Sequence, residues 1–330
     1  MTKYILKRIL WLIPVIIGVV TILFALSAMI PGDPAQIILG SSATADQIGA
    51  LREEMGLNKP LIVRWASYVW GIFTRLDLGT SYFTNVPVRT EVLSHLPVTV
   101  ELALYSTLFG VIIGIPLGVL SALKQYTWID SLILFISVFF ISMPNFWLAM
   151  MLIKWLAVDT HVLPAFGIST VAGWVLPVIC AGVGGMAQNT RITRSSMLEV
   201  MRQDYIRTAR AKGQKESVIV TRHMLRNALI PVITSVGSNI GNALGGNMAL
   251  EIIFALPGLG NYVVSAITQR NYNAMDGGIL VIAIMFTLVN LLVDLLYVAA
   301  DPRLKTQMTK AKLSKRKIRQ LMAEQEVSNG

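Results

Sequence analysis

Long apolar segments alternate with polar and charged segments along this chain of 330 residues. A helix needs about 20 predominantly apolar residues to cross the hydrocarbon core of a bilayer. Six apolar segments approach or exceed that length. They are residues 9–30, 102–123, 131–153, 172–189, 228–250 and 278–300. The pattern therefore predicts an all-α integral membrane protein with six transmembrane helices.

The first apolar segment follows a short basic stretch that contains Lys3, Lys7 and Arg8. A cleaved signal peptide is the alternative interpretation, and Ala25-Leu26-Ser27 is a weak cleavage site. The apolar run exceeds the roughly 7–15 residues of a signal-peptide core. A retained first span is therefore the preferred prediction.

Two of the predicted spans carry a glycine at every fourth position, which gives each a smooth face for close helix packing. These residues are Gly110, Gly114 and Gly118 in the second span, and Gly237, Gly241 and Gly245 in the fifth. The third span contains Pro144 followed by Asn145, and an internal proline breaks or kinks a helix. We therefore expect a bend in the third span.

The distribution of basic residues predicts the orientation. Cytoplasmic loops of membrane proteins are enriched in Lys and Arg. With the N-terminus inside, twenty-one of the 28 basic residues lie in inner segments and six in outer segments. The inner segments are 1–8, 124–130, 191–226 and 301–330, and the outer ones are 31–97 and 256–277. Both termini are therefore predicted to be cytoplasmic.

The net charge of +10 consequently indicates topology and contact with membrane lipid, and no nucleic-acid partner is expected. The basic cytoplasmic tail, residues 306–330, is predicted to lie on anionic lipid or to stay disordered rather than to bind RNA. The single cysteine, Cys180, excludes a disulfide within the chain.

Residues 31–97 are too long for a plain hairpin and are predicted to form an extracytoplasmic helical insertion. Thr44-Ala45-Asp46-Gln47 matches a capping box, and Gly56 is a typical helix stop. Pro60 then begins a second, amphipathic helix. A packed external cap is preferred, and a dock for a substrate-delivering protein is the alternative.

Residues 191–227 form a charged region between two apolar segments. Asp204 to Lys212 contains good helix formers without proline or glycine, and Gly213 provides the stop. A second helical run is predicted from Glu216 to Asn227. The region is therefore predicted to form a helix, a turn at Gly213 and a second helix.

The segment DYIRTARAKG, followed nine residues later by HMLRNALIP, resembles the cytoplasmic "EAA" loop of ABC importer permeases. Arg207-Thr208-Ala209 stands in the Glu-Ala-Ala place, Gly213 matches, and the proline comes later, at Pro231. These departures match the branch that transports dipeptides, oligopeptides and nickel. A further set of sequence motifs typical of that branch recurs through residues 1–305. It includes Pro31-Gly32-Asp33-Pro34, Asp77-Leu78-Gly79, Pro257-Gly258-Leu259-Gly260 and Asp301-Pro302-Arg303, with a departure at Asn271-Tyr272-Asn273.

The resemblance implies the fold of a type I ABC importer permease, with a six-helix domain over residues 1–305, in the bacterial inner membrane. It implies a second homologous permease, two ATP-binding subunits that hold ATP and Mg, and an extracytoplasmic substrate-binding protein as partners. No cofactor is expected on this chain. Residues 191–227 would be the coupling loop that docks on the ATPase, with small Ala209 pressed against it. The coupling residues would be Asp204, Tyr205, Arg207, Thr208, Ala209, Arg210, Ala211, Lys212 and Gly213.

Catalytic patterns are absent from the sequence. No G-x-x-x-x-G-K-[ST] motif occurs, so the chain is not expected to bind ATP. His95, His161 and His223 are far apart and no H-E-x-x-H occurs, so no metal site is expected. A membrane-embedded enzyme and a passive channel are the alternatives from other functional classes.

Polar residues inside the spans are the candidates for lining a pathway. They are Asn145, Asn239, Asn290 and Asp294. A helix kink and helix–helix hydrogen bonds are the preferred roles for Asn145 and for Asn239 with Asn242, and substrate contact is the alternative. Contact with cytoplasmic water or an inner-loop base is preferred for Asp294. Within the branch that the chain resembles, dipeptides or oligopeptides are the preferred substrates, with nickel or a metal chelate and glutathione as alternatives.

Overall fold

Helices form nearly all of the regular structure in the computed structural model, which describes residues 2–29, 32–40 and 42–300. The first six are α1 (Thr2–Met29), α2 (Pro34–Leu39), α3 (Ala45–Glu54), α4 (Leu61–Arg75), α5 (Val88–Leu123) and α6 (Trp128–Ser142). The next four are α7 (Asn145–Leu152), α8 (Val171–Met201), α9 (Asp204–Ala211) and α10 (Glu216–Val218). The last four are α11 (Arg226–Gly246), α12 (Met248–Ile253), α13 (Leu259–Thr268) and α14 (Tyr272–Ala300). Two π-helical segments, Ile153–Asp159 and Ile219–Leu225, extend α7 and α10.

Four of these helices are long and apolar enough to cross a membrane: Leu10–Met29 within α1, all of α5, all of α8, and Tyr272–Val293 within α14. The helix pair α6 and α7 is a fifth candidate, bent by 100°. The bend lies at Pro144, so the predicted break is confirmed. Helix α11 occupies the place of the predicted fifth span, but it is not among these candidates. The count of six spans stays a prediction.

Two helices differ in extent from the predicted elements. Helix α5 begins at Val88, so residues 88–97 of the expected insertion form the first part of a long helix, and the limits of the insertion stay a prediction. The run that starts at Glu216 does not end at Asn227, because the π-helical segment leads directly into α11. The basic tail, 306–330, lies outside the described residues.

Helix α5 packs closely on α8 through its glycine face. A Cβ atom on Gly114 would lie 2.5 Å from the carbonyl oxygen of Met186, and one on Gly118 would lie 2.6 Å from that of Thr190. The reverse contact is equally tight, because a Cβ on Gly182 would lie 2.6 Å from the carbonyl oxygen of Ser106. The predicted small-residue face of the second span is confirmed, since no larger side chain fits between these backbones.

Three apolar clusters lie along α5. One surrounds Val88 and Val92 and joins α1, α4, α13 and α14. The second surrounds Leu102, and the third surrounds Ala122 and joins α8, α9 and α11. We call the end of α5 at Val88, with α2–α4, α12 and α13, the cap end, and the end at Leu123, with α9, the loop end.

The insertion contains the predicted capping box. The Thr44 side chain accepts a hydrogen bond from the backbone of Gln47, and the Gln47 side chain accepts one from the backbone of Thr44. Gly56 takes a positive φ of 66°, as expected for a helix stop. Helices α3 and α4 therefore begin where the local sequence predicts them.

Candidate functional site

Helix α9 lies at the loop end with one face packed on its own chain. Ile206 and Ala209 point inward, at 0% and 8% exposure, into the third apolar cluster. Ala209 thus packs within its own chain, and the expectation that it presses against an ATPase stays a prediction. The exposed face consists of Asp204, Tyr205, Arg207, Thr208, Arg210, Ala211 and Lys212.

A tight turn at Gly213 follows α9 and is held by backbone hydrogen bonds. Gly213 has a φ of 74°, in the left-handed region that favours glycine. Its N–H donates to the carbonyl of Arg210 at 2.9 Å, and that of Gln214 donates to Ala209 at 3.4 Å. The chain thereby reverses toward α10 within a few residues.

Side chains also tie α9 to the helix that follows. The guanidinium of Arg210 donates to both carboxylate oxygens of Glu216, at 2.6 and 3.2 Å, and holds the pKa of that carboxyl below its usual value. Asn227 Nδ2 donates to the Tyr205 hydroxyl at 3.0 Å. These exposed contacts are individually weak, and they link α9 to α10 and to the start of α11.

A polar cavity of about 230 Å³ lies between α5, α7, α8 and α11. It brings together Asn145, Asn239 and Asn242, which the sequence reasoning considered, with two asparagines that it did not select, Asn189 and Asn247. We call it the Asn cavity. The Nδ2 atoms of Asn239 and Asn247 have no hydrogen-bond partner among the described residues. Buried amides without partners indicate a place for water or a polar ligand.

A larger cavity of about 840 Å³ adjoins the Asn cavity and shares Asn145 and Gly184 with it. Its other polar lining residues include Gln188 and Arg191 of α8. The larger cavity extends along α8 from Gly184 to Ser195, beside Leu134 of α6.

The other two predicted pathway residues lie on α14. Asn290 Nδ2 donates to the backbone carbonyl of Phe286 at 3.0 Å, and its Oδ1 faces Gly241 of α11. Asn290 is not among the lining residues of the Asn cavity. The side chain of Asp294 lies outside the described residues, so its role stays a prediction.

A buried ion pair joins three helices near the loop end. Arg194 of α8 donates through Nε and Nη2 to both oxygens of Asp130 in α6, at 2.7 and 2.8 Å. Ser121 of α5 donates to the same carboxylate at 2.5 Å. Since the Asp130 side chain is 5% exposed, this bidentate pair fixes how α6 sits against α5 and α8.

At the cap end, Glu251 of α12 organises the glycine-rich turn before α13. Its carboxylate accepts from the Thr99 hydroxyl at 2.7 Å and from the backbone N–H of Asn261 at 3.0 Å. Thr99 in turn accepts from the N–H of Leu259 at 2.7 Å. Burial raises the pKa of Glu251, and these donors oppose that rise. A Cβ on Gly258 would collide with this carboxylate, which explains a glycine there.

Within the described part of the chain, no group of three or more His, Cys, Asp or Glu residues is placed to hold a metal ion.

Comparisons with known proteins agree with this arrangement. Residues 114–306 match the family described as binding-protein-dependent transport system inner membrane component, and residues 1–103 match the family that describes the N-terminal part of the membrane component of such systems. A chain of the MetNI methionine ABC transporter, solved in inward-facing conformations, superposes with a TM-score of 0.54 at 21% identity. That likeness covers 64% of this chain and 96% of the other, and it concerns the fold.

Curated relatives match over nearly their whole length. The dipeptide transport system permease protein DppB of Alkalihalophilus pseudofirmus is 44% identical, over 92% of this chain and 100% of the relative. DppB of Escherichia coli K12 is 37% identical, over 92% and 99%. A putative peptide transport system permease protein of Brucella abortus is also 37% identical, over 92% and 99%. These relatives are transport permeases and not enzymes.

A helical chain with several apolar candidate spans is what a membrane subunit of such a transporter requires. The chain belongs to the family of binding-protein-dependent transport system inner membrane components, as a multi-pass ABC transporter permease of the bacterial inner membrane.

Proposed function

We propose that this chain is a permease subunit of an ATP-driven importer for dipeptides or oligopeptides. The observation that carries the proposal is the 44% identity to a dipeptide permease over the whole of that relative. By analogy with its family, the chain would form the translocation path together with a second, homologous permease. An extracytoplasmic binding protein would deliver the peptide, and two ATPase subunits, holding ATP and Mg, would drive transport.

The exposed face of α9 is the proposed contact with the ATPase. Ile206 and Ala209 hold the helix on its own chain, which leaves Arg207 and Thr208 free to enter a cleft of the partner. The Gly213 turn and the Arg210–Glu216 pair connect this contact to α11. Closure of an ATPase pair would thus move α9 and α11 together and change the access to the path.

The Asn cavity and the larger cavity beside it are the proposed part of the path within this chain. Carboxamide groups both donate and accept hydrogen bonds, so they suit the amide groups of a peptide main chain irrespective of its side chains. Asn145 and Asn239 line this route, and Asn290 and Asp294 are proposed to line the path on the α14 side. This lining would accept peptides of many sequences.

The test is uptake of labelled dialanine into proteoliposomes that contain the assembled transporter with its binding protein. We expect uptake that requires ATP and this chain. Uptake of nickel or glutathione but not of dialanine would favour the alternative substrates of the same branch. Uptake that persists without ATP would favour a passive channel and would contradict the proposal.

The docking contact is tested by Arg207→Glu, whose side chain is 75% exposed. Reversal of this charge should lower co-purification of the ATPase subunits and reduce uptake about tenfold or more, a typical loss for a close charged contact at an interface. The matched control is Arg75→Glu, an exposed arginine at the cap end. Normal ATPase attachment in Arg207→Glu would contradict the proposal that α9 contacts the ATPase.

A further inference from the structure

A second cavity, separate from the Asn cavity, lies at the cap end between α1, the helices α2–α4 and the start of α14. We call it the cap cavity. Its volume of about 590 Å³ falls within the range of small-molecule sites, roughly 300–1,000 Å³. It shares no lining residue with the Asn cavity. Its polar wall includes Ser27, Arg64, Tyr68, Tyr82, Tyr272 and Asp276.

The cap cavity contains a buried carboxylate that has few partners. Asp276 is 7% exposed, and both of its oxygens accept a hydrogen bond only from the Ser27 hydroxyl, at 3.0 and 3.2 Å. No described residue forms an ion pair with it. Buried carboxylates are normally paired with a cation or held by several donors. Among the described residues, Asp276 therefore has no positively charged partner.

Three tyrosines line the same cavity as this carboxylate. The rings of Tyr82 and Tyr272 meet edge to face, with centroids 6.4 Å apart. Tyr272 is 7% exposed, and its hydroxyl and that of Tyr68 have no hydrogen-bond partner among the described residues. Burial first, and then the charge of Asp276, raises the pKa of Tyr68 and Tyr82, so both phenols stay neutral.

This set of groups suits a primary ammonium ion. An ammonium group has three N–H donors, which a carboxylate and neutral phenol oxygens can accept, and aromatic rings attract a cation further. A metal ion would instead require several oxygen ligands around one point. The polar groups that line the cap cavity are instead spread around a space much larger than a metal ion.

Positive charge also borders the cavity. The guanidinium of Arg64 lies 5.8 Å from the ring centroid of Phe24, and Lys59 lines the same cavity. Neither forms an ion pair with a described residue, although Glu54 is also part of the lining. The cavity thus offers a buried negative group and separate positive groups, a distribution that is complementary to a zwitterion.

We propose that the cap cavity binds a small zwitterionic peptide, with its α-ammonium group on Asp276 among the tyrosines and its carboxylate toward Arg64. The choice of a peptide rests on the proposed transport function. An extended dipeptide is about 7 Å long, which the cavity can hold. The site lies on the α1–α14 side of the molecule, so it would hold a peptide outside the Asn cavity.

The test measures equilibrium binding of labelled dialanine to the assembled transporter in nanodiscs, without binding protein or ATP. Dialanine should bind, and N-acetyl-dialanine, which lacks the ammonium group, should not. Asp276→Asn keeps the size of the side chain and should weaken dialanine binding about tenfold or more, the expected loss for a buried charge partner. Tyr272→Phe should weaken it severalfold. The matched control, Asp46→Asn on the exposed surface of α3, should bind as the unchanged protein does.

A comparison of dialanine with dialanine amide tests the proposed contact between the peptide carboxylate and Arg64. Dialanine amide should bind more weakly than dialanine, and this difference should vanish in Arg64→Gln. If Asp276→Asn fails to assemble, the comparison of dialanine with N-acetyl-dialanine on the unchanged transporter decides. Equal binding of these two peptides, or no binding of dialanine, overturns the proposal.

Two further outcomes separate this proposal from the transport function. Dialanine binding that survives Asp276→Asn but disappears in Asn239→Ala would assign the peptide to the Asn cavity and overturn the cap-cavity site. Loss of dialanine uptake with intact, ammonium-dependent binding at Asp276 would instead reject the transport proposal and leave the cap cavity as a peptide site.

Discussion

Gly213 is the residue at which the backbone leaves α9, and it does so with a φ of 74°. No heavy atom lies within 4 Å of a Cβ built there, so a larger side chain meets no steric contact. The requirement for glycine is therefore conformational. It comes from the left-handed backbone region, which costs other residues about 1–2 kcal/mol.

We predict that Gly213→Val weakens ATPase attachment, because the strained turn tilts α9, while the spans stay inserted. Gly213→Asn is the matched control, since asparagine tolerates positive φ better than other residues. Co-purification of the ATPase subunits and dialanine uptake measure the effect. Equal attachment in both variants would show that the turn geometry does not position α9.

The Asp130–Arg194 pair is a second feature that depends on single residues. We predict that Asp130→Asn destabilises the purified chain by about 3 kcal/mol, because it leaves a largely buried guanidinium without its counter-ion. Asp159→Asn is the matched control. It breaks the Lys154–Asp159 pair, whose side chains are 67% and 45% exposed, and should cost less than about 1 kcal/mol. Thermal unfolding of both variants measures the difference, and equal shifts would contradict a fixing role for Asp130.

At the scale of elements, the contact of α5 with α8 fixes the centre of the molecule. The glycines of α5 meet backbone atoms of α8, whereas those of α11 meet side chains of α14, such as Phe286 beside Gly241. Backbone atoms cannot move aside as side chains can. Substitutions on α5 should therefore be more damaging than those on α11.

We predict that Gly114→Leu prevents stable assembly, whereas Gly241→Leu only lowers stability. Gly18→Leu in α1 should be tolerated, because no heavy atom lies within 4 Å of its Cβ position. The yield of monodisperse complex and its melting temperature measure how strongly each of the three variants disturbs packing. If Gly114→Leu assembles as well as Gly18→Leu, the glycine face of α5 is not the packing surface.

At the scale of the whole molecule, the orientation in the membrane is the main prediction that remains. The distribution of basic residues predicts that the cap end is outside and the loop end inside. In a Cys180→Ala background, Glu53→Cys should react with an impermeant maleimide added to intact cells. Lys215→Cys should react only after the cells are opened. Labelling of Lys215→Cys in intact cells would reverse the orientation and remove α9 from the cytoplasm.

The amino-acid sequence by itself determined the features that depend on neighbouring residues. The capping box at Thr44, the break at Pro144 and the turn at Gly213 all follow from local backbone preferences, and the structure contains each of them. The apolar segments also indicate a membrane protein, because a helix that crosses a bilayer needs about 20 consecutive, predominantly apolar residues. Element boundaries were less well determined, since α5 continues through Pro97.

Only the tertiary structure decided which side chains face each other. The rotation of α9 buries Ala209, which its local sequence does not reveal. The Asn cavity joins Asn145 to Asn247, and the cap cavity joins Ser27 to Asp276, 249 residues later. Such pairs form because packing of distant helices fixes their rotation and depth. Local propensities carry no information on these contacts, so the polar sites of this protein arise from its tertiary packing.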